Sequence, residues 1–326
     1  MEKREKTVLV VLPAEDRHRA LLESRGQGSL YDLNFIYEDA SEVSEGDLSR
    51  ADVIIGNLPP RSLSACTHLE WMQLNSAGAD AYAVPGVLPE KAVLTCATGA
   101  YGTAVSEHML ALTFGLIRHL GPYRLEQAKH IWSPGSSIIS VEDSVVLVLG
   151  LGDIGGSYAR KMHALGAKVI GVRMRVREKP DYLDEQYTAD ELDSVLGRAD
   201  IVAMVLPGGA STEHIMDGRR LGLMKAGSYL INVGRGNAVD PAALKRALRS
   251  GHLAGAGLDV TEPEPLPPDD ELWDMQNVII TPHVAGQFYL PATFERIVAI
   301  AGDNLHAYAN GRPLSHVVDR GLGYQR

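Results

Sequence analysis

The chain has 326 residues, 45% hydrophobic and 22% charged, too long for one ordinary core and suited to two domains. A formal net charge of −10 argues against nucleic acid or an anionic membrane as the main partner, while a local basic pocket can still take a small anion. The only cysteines, Cys66 and Cys96, sit in apolar runs. They read as reduced thiols of a cytoplasmic protein, not as a disulfide or a metal site.

The opening "MEKREKTVLVVLP" has basic residues before an apolar run, but Thr7–Leu12 is too short for a secretion signal and reads as a first strand. No apolar stretch reaches transmembrane length. "AEDRHRALLESRG" is a polar-faced helix closed by Gly26, and "ADVIIGNLPP", "LEWMQLNSAG" and "AVLTCATG" are three further strands. Short apolar runs separated by helices imply a parallel sheet. "VSEHMLALTFGLIRHL", Val105 to Leu120, is apolar around most of its circumference and is expected to be buried against another domain or subunit. "IWSPGSSI" breaks that pattern as a crossing loop.

A second alternation starts at Ser144. Its strands are expected at Val145–Leu149, Val169–Val172, Ile201–Leu206, Tyr229–Val233, Ala256–Val260 and Val278–Thr281. Helices fit between most of them, at Ile154–Leu165, Ala189–Leu196, Arg219–Met224 and Pro241–Ser250; Asp240-Pro241 makes an N-cap followed by a proline at the first helical position. Six strands with crossovers make a complete doubly wound dinucleotide domain. The amphipathic "FERIVAIAGDNLHAYANG" is expected to pack back on the first domain. The fold class is therefore α/β, with two doubly wound parallel-sheet domains. A Rossmann cofactor domain (residues 99–289) is inserted into a substrate domain (1–98 and 290–326), with a cleft between them.

Gly150, Gly152 and Gly155 form G-x-G-x-x-G between an apolar strand and a helix. The first glycine permits the turn, the second lets backbone approach a pyrophosphate, and the third lets helix and strand close up. Within this loop Ile154 is a further contact, and Asp153 suits the helix dipole with its side chain expected to point away from phosphate. Three more segments end strands with reactive groups: "LINVGRGNAVD" at Arg235, "GLDVTEPEPLPP" at Asp259, Glu262 and Glu264, and "VIITPHVAG" at His283. All lie past strand carboxyl ends, where open α/β sheets bind ligands. Arginine grips a carboxylate bidentately, histidine gives a proton to a carbonyl oxygen, and a carboxylate favours the charged imidazole.

With "LNSAGAD", "TGAYGTAVSEHMLAL", "GLGDIGG", "LMKAGSYLINVGRGNAVD", "GLDVTEPEPLP" and "VIITPHVAG" in place, the chain resembles the D-isomer-specific 2-hydroxyacid dehydrogenase family, glyoxylate/hydroxypyruvate reductases included, over essentially its whole length. The resemblance implies a catalytic Arg235, Glu264 and His283, with carboxylate-binding amides at Ala77 and Gly78. It implies cofactor contacts at the Gly150–Gly155 loop, Leu206-Pro207, Val233-Gly234, Asp259 and Ala285-Gly286. It also implies hydride transfer to C2 of a small 2-oxo acid, giving a D-2-hydroxy acid. The chain departs from the family after Gly286, where "QFYLPATFERI" replaces small hydroxyl residues, and at Thr261, which replaces an aromatic. Tyr101 and Trp132 are candidates for accepting a larger 2-oxo acid. The alternative is a nucleotide-sensing, non-catalytic protein of the corepressor type. Helix Val105–Leu120 and the crossing loop point to a homodimer.

The strand "VIGVRMRVR" ends in arginine where NAD-specific relatives place a ribose-binding acid; Arg173 falls 21 positions after Gly152. An arginine cannot accept from ribose hydroxyls but can clamp a 2′-phosphate, with Arg175 and Arg177 beyond it. The expected cofactor is NADPH, with NADH possible and no metal.

Overall fold

The computed structural model describes residues 3–325 except 136 and 176. Ser136, inside the expected crossing loop, and Val176, between two of the arginines, lie outside the described residues. The chain divides into two compact units, Met1–Tyr101 with Phe288–Arg326, and Gly102–Gln287.

The first unit holds β1 (Arg4–Val10), α1 (Asp16–Gly26), β2 (Tyr31–Tyr37), α2 (Glu45–Arg50), β3 (Val53–Ile55), β4 (Trp71–Gln73), α3 (Asp80–Ala83) and β5 (Val93–Thr95). The sheet order β2-β1-β3-β4-β5, all parallel, is the flavodoxin-like winding. β2 is a strand the apolar pattern does not announce. As an edge strand it is half-exposed on both faces, so Asp32 and Asn34 sit comfortably in it. The central strands β1 and β3 are buried on both faces, hence their unbroken aliphatic runs.

The second unit opens with α4 (Gly102–Ile117) and α5 (Leu120–Ala128). It continues through β6 (Val145–Leu149), α6 (Asp153–Ala164), β7 (Lys168–Arg173), β8 (Glu185–Thr188), α7 (Leu192–Leu196), β9 (Ile201–Met204), α8 (Gly218–Leu223), β10 (Ser228–Asn232), α9 (Pro241–Arg249), β11 (Leu253–Leu258) and β12 (Val278–Ile280). The order β8-β7-β6-β9-β10-β11-β12 is the Rossmann winding with one strand added. β8 is again a half-exposed edge strand that hydrophobicity alone misses. Asp240 caps α9 as expected, accepting from the Ala243 amide at 3.0 Å.

Two expectations change. The helix read as Val105–Leu120 breaks at His119, which adopts a left-handed φ of 53°, and α5 follows. Its apolar surface is covered by its own unit: α4 packs on α6 and on β10, β11 and β12. A helix lying on a sheet face and beside another helix is shielded on most sides, so its hydrophobicity needs no second subunit. The closing helix α10 (Pro291–Ala309) packs on α1, and a short antiparallel pair, β13 (Val318–Asp319) and β14 (Tyr324–Gln325), ends the fold. Among the described residues no helix is long and apolar enough to cross a membrane.

Candidate active site

The second unit gathers its polar groups on loops at the carboxyl edge of its sheet. Gly152 precedes α6, whose first turn begins with Asp153 and Ile154 and has no side-chain cap, so its amides are available to an anion. Gly155 lies against the turn it follows; a Cβ there would stand 1.8 Å from the Gly150 carbonyl oxygen. Only glycine lets the helix start this close to the strand. Asp153 turns toward α4: its Oδ1 is 2.4 Å from where a Cβ on Gly102 would stand. Leu206, half-buried, and Pro207 follow β9.

β7 ends at Arg173, so Arg175 and Arg177 lie beyond the strand. The Arg173 Nε is buried without a hydrogen-bond partner. Burial, and then the nearby Arg177 guanidinium, push its pKa down. Among the described residues no carboxylate is paired with any of the three arginines. An uncapped helix turn and a glycine cradle together fit the phosphates of a dinucleotide.

On the loop after β10, Val233 and Gly234 precede Arg235. Buried Asn232 ties this loop: its Nδ2 donates to the Arg235 carbonyl at 2.9 Å and its Oδ1 accepts from the Gly234 amide at 3.1 Å. Arg235 Nη1 donates to the Gly234 carbonyl at 2.9 Å. The next loop touches this one, since a Cβ on Gly236 would lie 1.8 Å from the Thr261 carbonyl oxygen. That loop carries Glu264, whose Oε1 is 2.6 Å from His283 Nδ1. Both side chains remain open to solvent, at 42% and 47% exposure, as groups that meet a substrate must. The strand-end reading thus places Glu264 and His283 in direct contact, with Arg235 on the neighbouring loop.

Asp259 does something the sequence did not announce. Its carboxylate is buried and accepts from Thr281 Oγ1 at 2.6 Å and from the amides of Val284 and Ala285 at 3.0 and 3.1 Å. It anchors the loop running through His283 to Ala285 and Gly286.

In the first unit, the loop after β4 carries Ala77 and Gly78. Asn57 braces it, accepting from the Asn75 amide at 2.9 Å and donating to Ser76 Oγ at 3.1 Å. Neither the Ala77 nor the Gly78 amide donates to another described residue. Tyr101 is core: its hydroxyl donates to the Asn75 carbonyl at 2.5 Å, and burial raises its pKa. Trp132 is fully exposed, because the loop bearing it has nothing of its own unit packed over the indole. Neither aromatic lines the first unit's cavity of about 450 Å³, which Arg19, Tyr37, Asn57, Asn75 and Phe288 help to form. Asn57 and Asn75 are the signals that sequence reading passed over.

A Rossmann sheet with a glycine-cradled helix and a histidine–carboxylate pair beyond its strands defines a nicotinamide-dependent oxidoreductase. Residues 110–285 match the family model described as D-isomer specific 2-hydroxyacid dehydrogenase, NAD binding domain. The chain is 30% identical over 260 residues to the glyoxylate reductase of Thermofilum pendens, covering 76% of this chain and 74% of that protein. Among solved structures, a D-isomer specific 2-hydroxyacid dehydrogenase family protein from Aeromonas salmonicida matches with a TM-score of 0.83 and 30% identity, over 97% of this chain and 99% of that one. An NADPH-dependent glyoxylate/hydroxypyruvate reductase from Sinorhizobium meliloti, in complex with NADP and sulfate, matches with a TM-score of 0.81 and 29% identity, over 98% and 100%. The chain belongs to the D-isomer specific 2-hydroxyacid dehydrogenase family and is an oxidoreductase of 2-hydroxy acids.

Proposed function

We propose that the protein reduces a small 2-oxo acid to the D-2-hydroxy acid, with NADPH as the preferred donor. The observation that carries the chemistry is the 2.6 Å contact of His283 with Glu264 on a rim that also bears Arg235. The bound nicotinamide supplies the hydride for C2. Arg235 grips the substrate carboxylate. Glu264 accepts from His283 Nδ1–H and so supports the imidazolium form, whose Nε2–H passes its proton to the carbonyl oxygen and leaves the neutral Nδ1–H ring behind.

Support for NADPH is the buried, unpartnered Arg173 Nε facing a second arginine. A hydrogen bond to a charged group is worth roughly 1.5–3 kcal/mol, or about 10- to 150-fold in preference. A homodimer is part of the proposal. Its support moves from α4 to the exposed apolar side chains Leu120, Leu125, Ile131, Trp132 and Ile138.

The test is kcat/KM for glyoxylate, hydroxypyruvate and longer 2-oxo acids with NADPH and with NADH. His283→Ala should mainly lower kcat, and Arg235→Lys should raise KM and lower kcat. Arg173→Asp should shift the preference toward NADH. Wild-type kcat/KM in both site variants would refute the site, and equal use of the two nucleotides by the parent enzyme would refute the cofactor assignment.

A further inference from the structure

His108 lies on α4, far in sequence from the strand-end loops. Its Nε2 is 2.9 Å from Thr281 Oγ1 and 3.7 Å from Asp259 Oδ1. The direction of these hydrogen bonds follows from elementary chemistry. The Asp259 carboxylate can only accept, so Thr281, 2.6 Å away, must donate its hydroxyl proton to it. The lone pair of Thr281 then needs a donor, and His108 Nε2 is the group in reach. His108 therefore carries a proton on Nε2, whether the ring is neutral or charged.

The chain of bonds ends at the backbone around His283. Asp259 takes the amides of Val284 and Ala285, and its own carbonyl oxygen accepts from the His283 amide at 2.8 Å. The Thr281 carbonyl accepts from the same amide at 3.0 Å. His283 sits at φ 52°, a left-handed backbone uncommon for a residue with a side chain, and these bonds hold it there. We propose that His108 is a positioning residue for His283: its Nε2–H orients the Thr281 hydroxyl, which orients Asp259, which fixes the backbone that presents the imidazole. This inference rests on the reading of His283 as proton donor.

The experiment is a double-mutant cycle on the full-length enzyme, with hydroxypyruvate and NADPH as probes and thermal melting as the control for folding. His108→Phe removes the donor and keeps a ring. It should lower kcat about tenfold, the loss expected for one hydrogen bond in a charged network, with KM for both substrates within about twofold. His108→Gln keeps an N–H donor and should retain at least about a third of parent kcat. Thr281→Val should lower kcat as His108→Phe does, and Thr281→Ser should not. In the Thr281→Val background, His108→Phe should cost less than about twofold more, because the link is already broken. Additive losses, or Gln as damaging as Phe at unchanged melting temperature, overturn the proposal. If His108→Phe fails to fold, equal activity of Thr281→Val and Thr281→Ser overturns it. His283→Ala separates the two levels. If that variant keeps parent kcat, the site reading fails; if it is inactive while the His108 variants match the parent, only the positioning role fails.

Discussion

Replacing Gly155 by alanine tests the nucleotide cradle through its sterics. The new methyl would sit 1.8 Å from the Gly150 carbonyl oxygen, 3.0 Å from the Gly150 carbonyl carbon and 3.3 Å from Val148 Cγ1. An ordinary carbon–oxygen contact is about 3.3 Å, so helix and turn must part by about 1.5 Å. The obstacle is backbone, pinned by the Gly150 amide donating to Val172 O at 2.9 Å, and the helix is held by buried Tyr158, Ala159 and Met162. Overpacking costs about 1–3 kcal/mol where side chains can yield, so a backbone clash belongs at about 3 kcal/mol or above. For a unit of this size that lowers Tm by about 6–12 °C. Calorimetry reads the stability, and nucleotide fluorescence titration should show affinity at least about tenfold weaker. Gly152→Ala is the matched control. Its Cβ meets nothing within 4 Å and its φ is −79°, so stability should hold while nucleotide binding weakens. A Gly155→Ala protein melting within about 2 °C of the parent would refute the close-approach argument.

Lys6 is buried between Asp52 at 2.7 Å and Glu70 at 2.5 Å, so Lys6→Met leaves two carboxylates facing each other. Because Glu70 reaches solvent, the loss should be about 2 kcal/mol by urea denaturation, below that of a fully buried pair, and Glu70→Gln should recover part of it. The Glu185 carboxyl is held down to about 2 by its hydrogen bond from Arg198 and then by Tyr187. Its stabilising contribution is therefore complete above the ordinary value of 4.5 and lost as pH falls toward 2. Melting curves of Arg198→Gln should fall below the parent at pH 6 and converge with it near pH 2; a constant gap would contradict the pairing. Trp132→Asp should convert a dimer to a monomer by light scattering, and a monomeric parent would remove the interface. Burial pushes the Cys66 thiol up to about 11, so thiol reagents should label it only after unfolding.

What the sequence disclosed follows from where each residue sits. Strands buried on both faces, such as Val145–Leu149, are unbroken aliphatic runs and were legible. Tyr31–Tyr37 and Glu185–Thr188 were not, because half-exposed edge strands mix polar and apolar residues without a clear period. The groups of the candidate site were legible where they are local to a strand end, as at Arg235, Glu264 and His283, the last two of which come into contact. It was opaque where distant segments meet: nothing near His108 in sequence reveals that α4 brings it to Thr281. Trp132 is fully exposed, with no side chain of its own unit packed over the indole, so its place on a loop shows nothing of what it meets.

The first unit is interrupted in sequence by the whole of the second, and this bears on the order in which the protein is made. Its β-sheet residue Gln73 shares Asn304 as a partner, and Leu30 donates to Ala309, so α10 completes the unit only after residues 102–287 have been synthesised. The insert is contiguous and can fold as soon as it emerges. Once folded, it holds His108 against Thr281, each a few residues from an end of the insert. The remaining search for α10 to find α1 then spans a short effective loop instead of a long one, and that closure entropy is small. The same contact between α4 and Thr281, the residue after β12, thus shortens a folding search and, later in the protein's life, braces the loop that carries His283.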